Sequence, residues 1–149
     1  MDTYTETMGK KLNNLLEKTY DAEKGYKKAS SNTNNPHLKS FFHKKSAERL
    51  SFGQDLKTEI TNFGQKWEKD GSMTASAHRA WMDVKSLFSA NNEEAMLEEA
   101  IRGEKAAVQE YKEVLSETGL PPSTATILTQ QMNQIQADLN QVKRMEDLS

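Results

Sequence analysis

Glu104 stands on the apolar stripe of a helix, where the pattern asks for a hydrocarbon. The stretch Leu97 to Leu115, LEEAIRGEKAAVQEYKEVL, puts Leu97, Ala100/Ile101, Ala107/Val108, Tyr111 and Val114/Leu115 on one face. That spacing is the roughly 3.6-residue period of an amphipathic helix, and Glu104 falls within it. A carboxylate in a core seam must be paired, protonated or bound to a metal, because an isolated buried charge is too costly. Two further acids sit on the seams of other helices, Glu23 in the first and Glu48 in the second. Carboxylates converging from several helices are donors for iron or manganese. The full pattern takes a Glu from each of two helices and a Glu-x-x-His from each of the other two, since i and i+3 share a helix face. This chain meets it only in part. Ser51, not His, follows Glu48 at i+3, His43 lies off that face, and the last helix offers Gln131, Gln134 and Asp138. We therefore read Glu23, Glu48 and Glu104 first as seam polars, hydrogen-bonded to Tyr20, Tyr26, Tyr111, Arg49 or Gln131. The second reading makes them ligands of a metal. No catalytic motif is present, and no cofactor-binding residue is identified.

The elements that must position these acids are helices. The first runs from about Thr7 to Ser30, with Leu12, Leu15/Leu16, Thr19, Ala22/Glu23, Tyr26 and Ala29 on its stripe. The run Ser30 to Asn34 ends it, because short polar side chains compete for backbone hydrogen bonds. Asn35-Pro36 starts the second, as cap and first helical residue. Its stripe is Leu38, Phe41/Phe42, Lys45, Glu48/Arg49, Phe52, Leu56, Ile60 and Phe63. Lys44, Lys45 and Lys57 read as an ordinary solvated face, with Glu48 and Glu59 nearby. A polar loop, Gly64 to Gly71, is followed by a short helix, about Thr74 to Ser89. Ala77, Trp81, Val84 and Phe88 form its buried face, and His78 reads as a packing residue. The helix holding Glu104 begins near Glu93-Glu94, whose charges suit its positive end, and stops at Thr118-Gly119. The last runs from about Ser123 to Met145, with Leu128, Gln131/Met132, Ile135, Asp138/Leu139 and Val142 inward. Met82, Met96, Met132 and Met145 read as core fillers.

Short loops imply antiparallel neighbours, so the long helices form two hairpins joined by one long connection. That is the connectivity of an all-α, ferritin-like four-helix bundle, with a short extra helix in the connection between helices two and three. A weak internal repeat agrees. At an offset of 85, Leu12 matches Leu97, Leu16 matches Ile101, Tyr26 matches Tyr111 and Pro36 matches Pro121, while Glu104 is matched by Thr19.

Composition bounds the rest. The chain has 149 residues, enough for a single domain over 1–149 with a real core. Twenty basic and 22 acidic residues give a net charge of −2, with no electrostatic footprint for nucleic acid or an anionic membrane. There is no cysteine, so disulfides and thiolate chemistry are excluded. The N-terminal stretch MDTYTETMGKKLNN is polar and lacks the apolar region of a signal peptide. We expect a cytoplasmic protein that spans no membrane.

Several stretches together resemble a known family. They are LNNLLEKTYDAEKGYKKA from Leu12, LKSFFHKKSAERLSFGQDLKTEI from Leu38, HRAWMDVKSLFSANNEEAMLEEAIRGEKAAVQEYKEVL from His78, and the LPPST turn. They are similar to uncharacterised bacterial four-helix-bundle proteins of the ferritin-like superfamily. His78-Arg79, Trp81-Met82-Asp83 and Arg102-Gly103-Glu104 are the most specific parts. The resemblance implies the bundle fold and a cytoplasmic bacterial protein, and it supplies no activity or ligand set. The expected function is a non-enzymatic bundle with a structural, stress-related or protein-interaction role, as a homo-oligomer or with a protein partner. The alternative is a carboxylate-based metal-binding protein handling iron or manganese. A third reading is a small-molecule binder with a polar pocket around Glu104 and Tyr111.

Overall fold

The computed structural model describes residues 4–67 and 93–147. Four helices make up the described chain: α1 Tyr4–Asn32, α2 Pro36–Asn62, α3 Glu93–Leu115 and α4 Pro122–Asp147. Each agrees with its stripe to within a few residues. The expected short helix Thr74 to Ser89, with His78, Trp81 and Met82, lies outside the described residues.

Local chemistry sets the helix ends. Asn35 caps α2, its Oδ1 accepting from the backbone N–H of His37 at 2.9 Å and of Leu38 at 3.2 Å. Pro36 opens the helix at no cost, since its missing N–H would have been unpaired there anyway. Thr33 ties the same turn to α3, accepting from Asn35 N and donating to Glu93 Oε1. Asn35→Ala should cost about 1 kcal/mol, the usual worth of such a cap. A urea midpoint unchanged by that substitution would mean that Thr33 alone holds the turn. At the other end, Gly64 and Gly119 carry positive φ values of 74° and 81°. Gly64 stands just past α2, where the chain leaves through the left-handed region that favours glycine, and Gly119 stands in the turn between α3 and α4, four residues past Leu115.

The contacts between ends fix the topology. Asn13 donates to the Lys66 carbonyl at 3.0 Å, so α2 ends beside the start of α1. Thr33 meets Glu93, so α3 starts at the opposite end, beside the α1–α2 turn. Lys11 pairs with Glu117 at 3.0 Å, which returns the end of α3 to the start of α1. Thus α1 and α2 are antiparallel, as are α3 and α4, and the two hairpins are joined across the length of the bundle. This is the expected order, with α1 packed on α3 and α2 on α4.

The core is in two parts. One apolar cluster gathers Met8, Leu12, Leu16, Leu56, Ile60, Leu128 and Ile135 near the α1 start. The other gathers Tyr26, Phe41, Phe42, Met96, Leu97 and Val142 toward the α1–α2 turn. Burying each large apolar side chain contributes roughly 1.5–3 kcal/mol, so these clusters carry most of the fold's stability. Charged and polar side chains are buried between them.

A buried centre of paired charges

Arg49 and Lys45 lie one helical turn apart on α2, and both point into the bundle, 4% and 2% exposed. Their neighbours on the same face, Phe41, Phe42 and Leu56, are core residues, so the helix has no other way to turn. The expectation that Lys45 is solvated is therefore overturned. Its ammonium contacts Asp138 Oδ1 of α4 at 2.5 Å and Glu48 Oε2 at 3.3 Å. Lys44 is exposed as expected, and Lys57 is half-buried over the rings of Tyr20 and Trp67.

Glu104, 2% exposed, occupies the middle of α3 as its stripe requires. Its Oε1 accepts from the Arg49 guanidinium and from the Tyr26 hydroxyl at 2.5 Å. Arg49 also lies 5.8 Å from the Tyr26 ring centroid and 6.0 Å from that of Phe52. Both distances suit a cation over an aromatic face. Burial works against the guanidinium's charge, but Glu104, with Tyr26 and Tyr111 beside it, outweighs this and raises the Arg49 pKa further. Burial raises the Tyr26 pKa well above its ordinary value, and the adjoining Glu104 carboxylate adds to it. The tyrosine therefore stays a donor to the carboxylate throughout the physiological range.

Glu48 and Asp138 form the second half. Burial, then the hydrogen bond and negative charge of Asp138, push the Glu48 carboxyl up to about 8, against the opposing pull of Lys45. The geometry explains why. Glu48 Oε2 faces Lys45, and Asp138 Oδ1 accepts from Lys45 and from Gln134 at 3.0 Å. The remaining oxygens, Glu48 Oε1 and Asp138 Oδ2, are buried without a donor. A proton carried on Glu48 Oε1 and donated to Asp138 Oδ2 serves both. With that proton in place the centre holds two cations, Lys45 and Arg49, and two anions, Glu104 and Asp138. It is neutral, which is the condition under which buried charges are tolerated.

The internal repeat is visible here. Tyr26 of α1 reaches Glu104 of α3. Its mate Tyr111 of α3 reaches Thr19 of α1, the repeat-mate of Glu104. Tyr111 also donates to Gln131 Oε1 at 2.6 Å, and Gln131 Nε2 donates to the Phe52 carbonyl. Burial pushes the Tyr111 hydroxyl up to about 12.

Of the three acids singled out from the sequence, Glu104 and Glu48 each face a basic side chain of α2. Glu23 is half-buried on α1, and its backbone carbonyl accepts from Ser46 at 3.0 Å. Two buried acids escaped the sequence reading, Asp21 of α1 and Glu59 of α2. Glu59 accepts from Thr124 at 2.6 Å, at the positive end of α4, where a carboxylate is favoured.

The walls of the centre are uneven. Between α1 and α3 runs a groove of about 190 Å³, with Tyr26, Arg49 and Glu104 at its floor. The small residues Ala22, Ala100, Gly103 and Ala107 leave this space. At its rim Lys18 pairs with Glu110 at 2.7 Å.

No helix among the described residues is long and apolar enough to cross a membrane. No curated protein matches the chain. A solved structure that superposes on it, with a TM-score of 0.79, is the bacterioferritin-related protein from Bacteroides fragilis, described as a dodecameric thioferritin. The two are 14% identical over 97% of this chain and 87% of that one, so the likeness is one of fold: a ferritin-like four-helix bundle. A family model described as a domain of unknown function, DUF2383, matches residues 7–117. That span holds α1, α2 and α3 with Glu48, Arg49 and Glu104, and the chain belongs to the DUF2383 family.

Proposed function

We propose that this protein is a non-enzymatic, ferritin-like bundle whose centre is closed by its own cations, with a structural or protein-association role in the cytoplasm. One observation carries the reading: Arg49 and Lys45 are buried against the carboxylates that a metal would need. A divalent ion within about 4 Å of a fixed unit positive charge is repelled by roughly 8 kcal/mol at an effective dielectric near 20. The chain also lacks both Glu-x-x-His pairs, and the histidines among the described residues, His37 and His43, are exposed. The donor set thus fits an iron or manganese pair poorly. Self-association belongs to the same proposal. The similar Bacteroides protein is described as a dodecamer, and this bundle shares its fold.

The alternative reading is iron or manganese held by Glu23, Glu48 and Glu104. What favours it is that Glu104 Oε2 is buried with no hydrogen-bond donor, and that Glu48 and Asp138 meet through a proton whose place a metal would take. Metal analysis of the protein purified from cells grown with added iron and manganese separates the two readings. The expected result is far less than one metal ion per chain. One or two ions per chain, lost in Glu104→Gln, would establish the alternative.

A further inference from the structure

Charge is missing from one face of the bundle. Between Pro122 and Gln141 of α4 the only charged residue is Asp138, and it is buried, 1% exposed. In a chain that is 28% charged, a stretch of that length would ordinarily carry about five charges. The outward face of α4 is Thr126, Thr129, Gln130, Asn133, Ala137 and Asn140, all exposed and all uncharged. Their spacing sets them on one side of the helix, opposite the buried Leu128, Ile135 and Val142. The outward face of α3, its hairpin partner, carries Glu98, Arg102, Lys105 and Lys112. Depletion of charge is the compositional mark of the centre of a protein interface.

The chemistry of the face selects the occupant. Asn and Gln amides and Thr hydroxyls both donate and accept hydrogen bonds, so a surface built of them can satisfy a copy of itself. A twofold contact demands that property, because the same patch meets itself. The flank of α2 beside α4 supplies complementary charge. Glu48 faces Asp138 of α4, and its exposed neighbours at i−4, i+3 and i+7 are Lys44, Ser51 and Asp55. Lys45 meets Asp138 and the Phe52 carbonyl meets Gln131, so Asn133, the midpoint of the α4 face, lies level with position 50 of α2. Lys44 then stands about 9 Å to one side of that level and Asp55 about 8 Å to the other. A twofold axis at Asn133 brings Lys44 of each copy level with Asp55 of the other. The axis also runs the two α4 helices antiparallel, which holds their basic ends at Arg144 about 33 Å apart. At that separation their repulsion is screened. The strip of α4 and the adjoining flank of α2, together roughly 20 Å wide and 40 Å long, offer about 800 Å² per copy, the size of a standard interface.

We propose that α4 is the surface through which two copies of this chain pair, antiparallel about a twofold axis at Asn133, with Lys44 of each facing Asp55 of the other. The pairing rests on the self-association reading above and assigns it a surface.

Sedimentation velocity of the whole protein across micromolar concentrations tests the pairing. Wild type should sediment as a dimer or a multiple of one. Asn133→Lys sets two like charges against each other at the axis and should weaken the assembly about tenfold or more. Gln109→Lys, the same change on the exposed face of α3, should leave the mass unchanged. Lys44→Asp should also weaken the assembly. Combining it with Asp55→Lys should restore it, since the exchanged charges still meet. All of these positions are exposed, so each variant should melt as wild type does. An assembly left intact by Asn133→Lys or by Lys44→Asp, or not restored by the exchange, would overturn the α4 contact and leave self-association standing. A wild type that stays monomeric would overturn both.

Discussion

Arg49→Met is expected to lower stability by about 3–5 kcal/mol, the usual cost of removing one partner of a buried ion pair. The size of the effect comes from what remains. Glu104 stays 2% exposed on α3, and the Tyr26 hydroxyl alone must then support its charge. The carboxylate either keeps an uncompensated charge or takes up a proton, and both cost free energy. Removing both members is a different matter. Arg49→Met combined with Glu104→Leu should recover most of the loss, because well-packed apolar pairs often replace buried ion pairs without penalty. The residue of the cost is the lost Tyr26–Glu104 hydrogen bond, about 0.5–1.5 kcal/mol. Urea unfolding of the two single variants and the double variant measures the coupling. A single Arg49→Met variant within about 1 kcal/mol of wild type would contradict a centre held by this pair.

The second large effect is on pH. Wild type should lose stability as pH rises from about 5 to about 8, by an amount on the order of 2 kcal/mol. The folded protein holds the Glu48 proton up to about 8, whereas an unfolded glutamate releases it near about 4.3. The stabilisation is therefore complete below the unfolded value and is lost as pH rises through the folded one. The modest size reflects the carboxyl's partial contact with water, its side chain being 16% exposed. The groups facing it are Lys45 on its own helix and Asp138 on α4, with Tyr26 of α1 close to Asp138. Glu48→Gln keeps a donor for Asp138 Oδ2 without a titrating proton, so it should flatten the profile. Wild-type stability that rises across this range, or an unchanged slope in Glu48→Gln, would show that the two carboxyls do not share a proton.

Much of this centre was legible in the chain, and the reason differs by residue. Glu104 was readable because helical periodicity reports which face a residue shares, and a lone acid among Leu97, Ala100, Val108 and Tyr111 stands out. Its partners Tyr26 and Arg49 were readable as a class, since both lie on stripes. The hairpin order followed from loop lengths, as Asn35-Pro36 and Gly119 mark turns by their backbone chemistry. Lys45 was misread because adjoining Lys44 and nearby acids suggest a solvated patch. Its ion pair is with Asp138, ninety-three positions away, and periodicity within one helix carries no information about which residue faces it from another. Glu59 was missed for the same reason, because what makes its burial tolerable is the start of α4. The shared proton on Glu48 was out of reach of the sequence, since it depends on which oxygens face Lys45.

Side-chain cations occupy the middle of the bundle, and thermal melting with and without metal tests this most directly. A ligand at a hundredfold excess over its Kd stabilises by about 2.7 kcal/mol. For a chain of this size each kcal/mol moves Tm by about 2–4 °C, so a bound metal should raise it by roughly 5–10 °C. With Lys45 and Arg49 in place, we expect wild type to melt at the same temperature, within about 1 °C, in chelator, in Fe(II) and in Mn(II). A rise of roughly 5 °C or more with either metal, absent in Glu104→Gln, would contradict the account and make the carboxylates metal ligands.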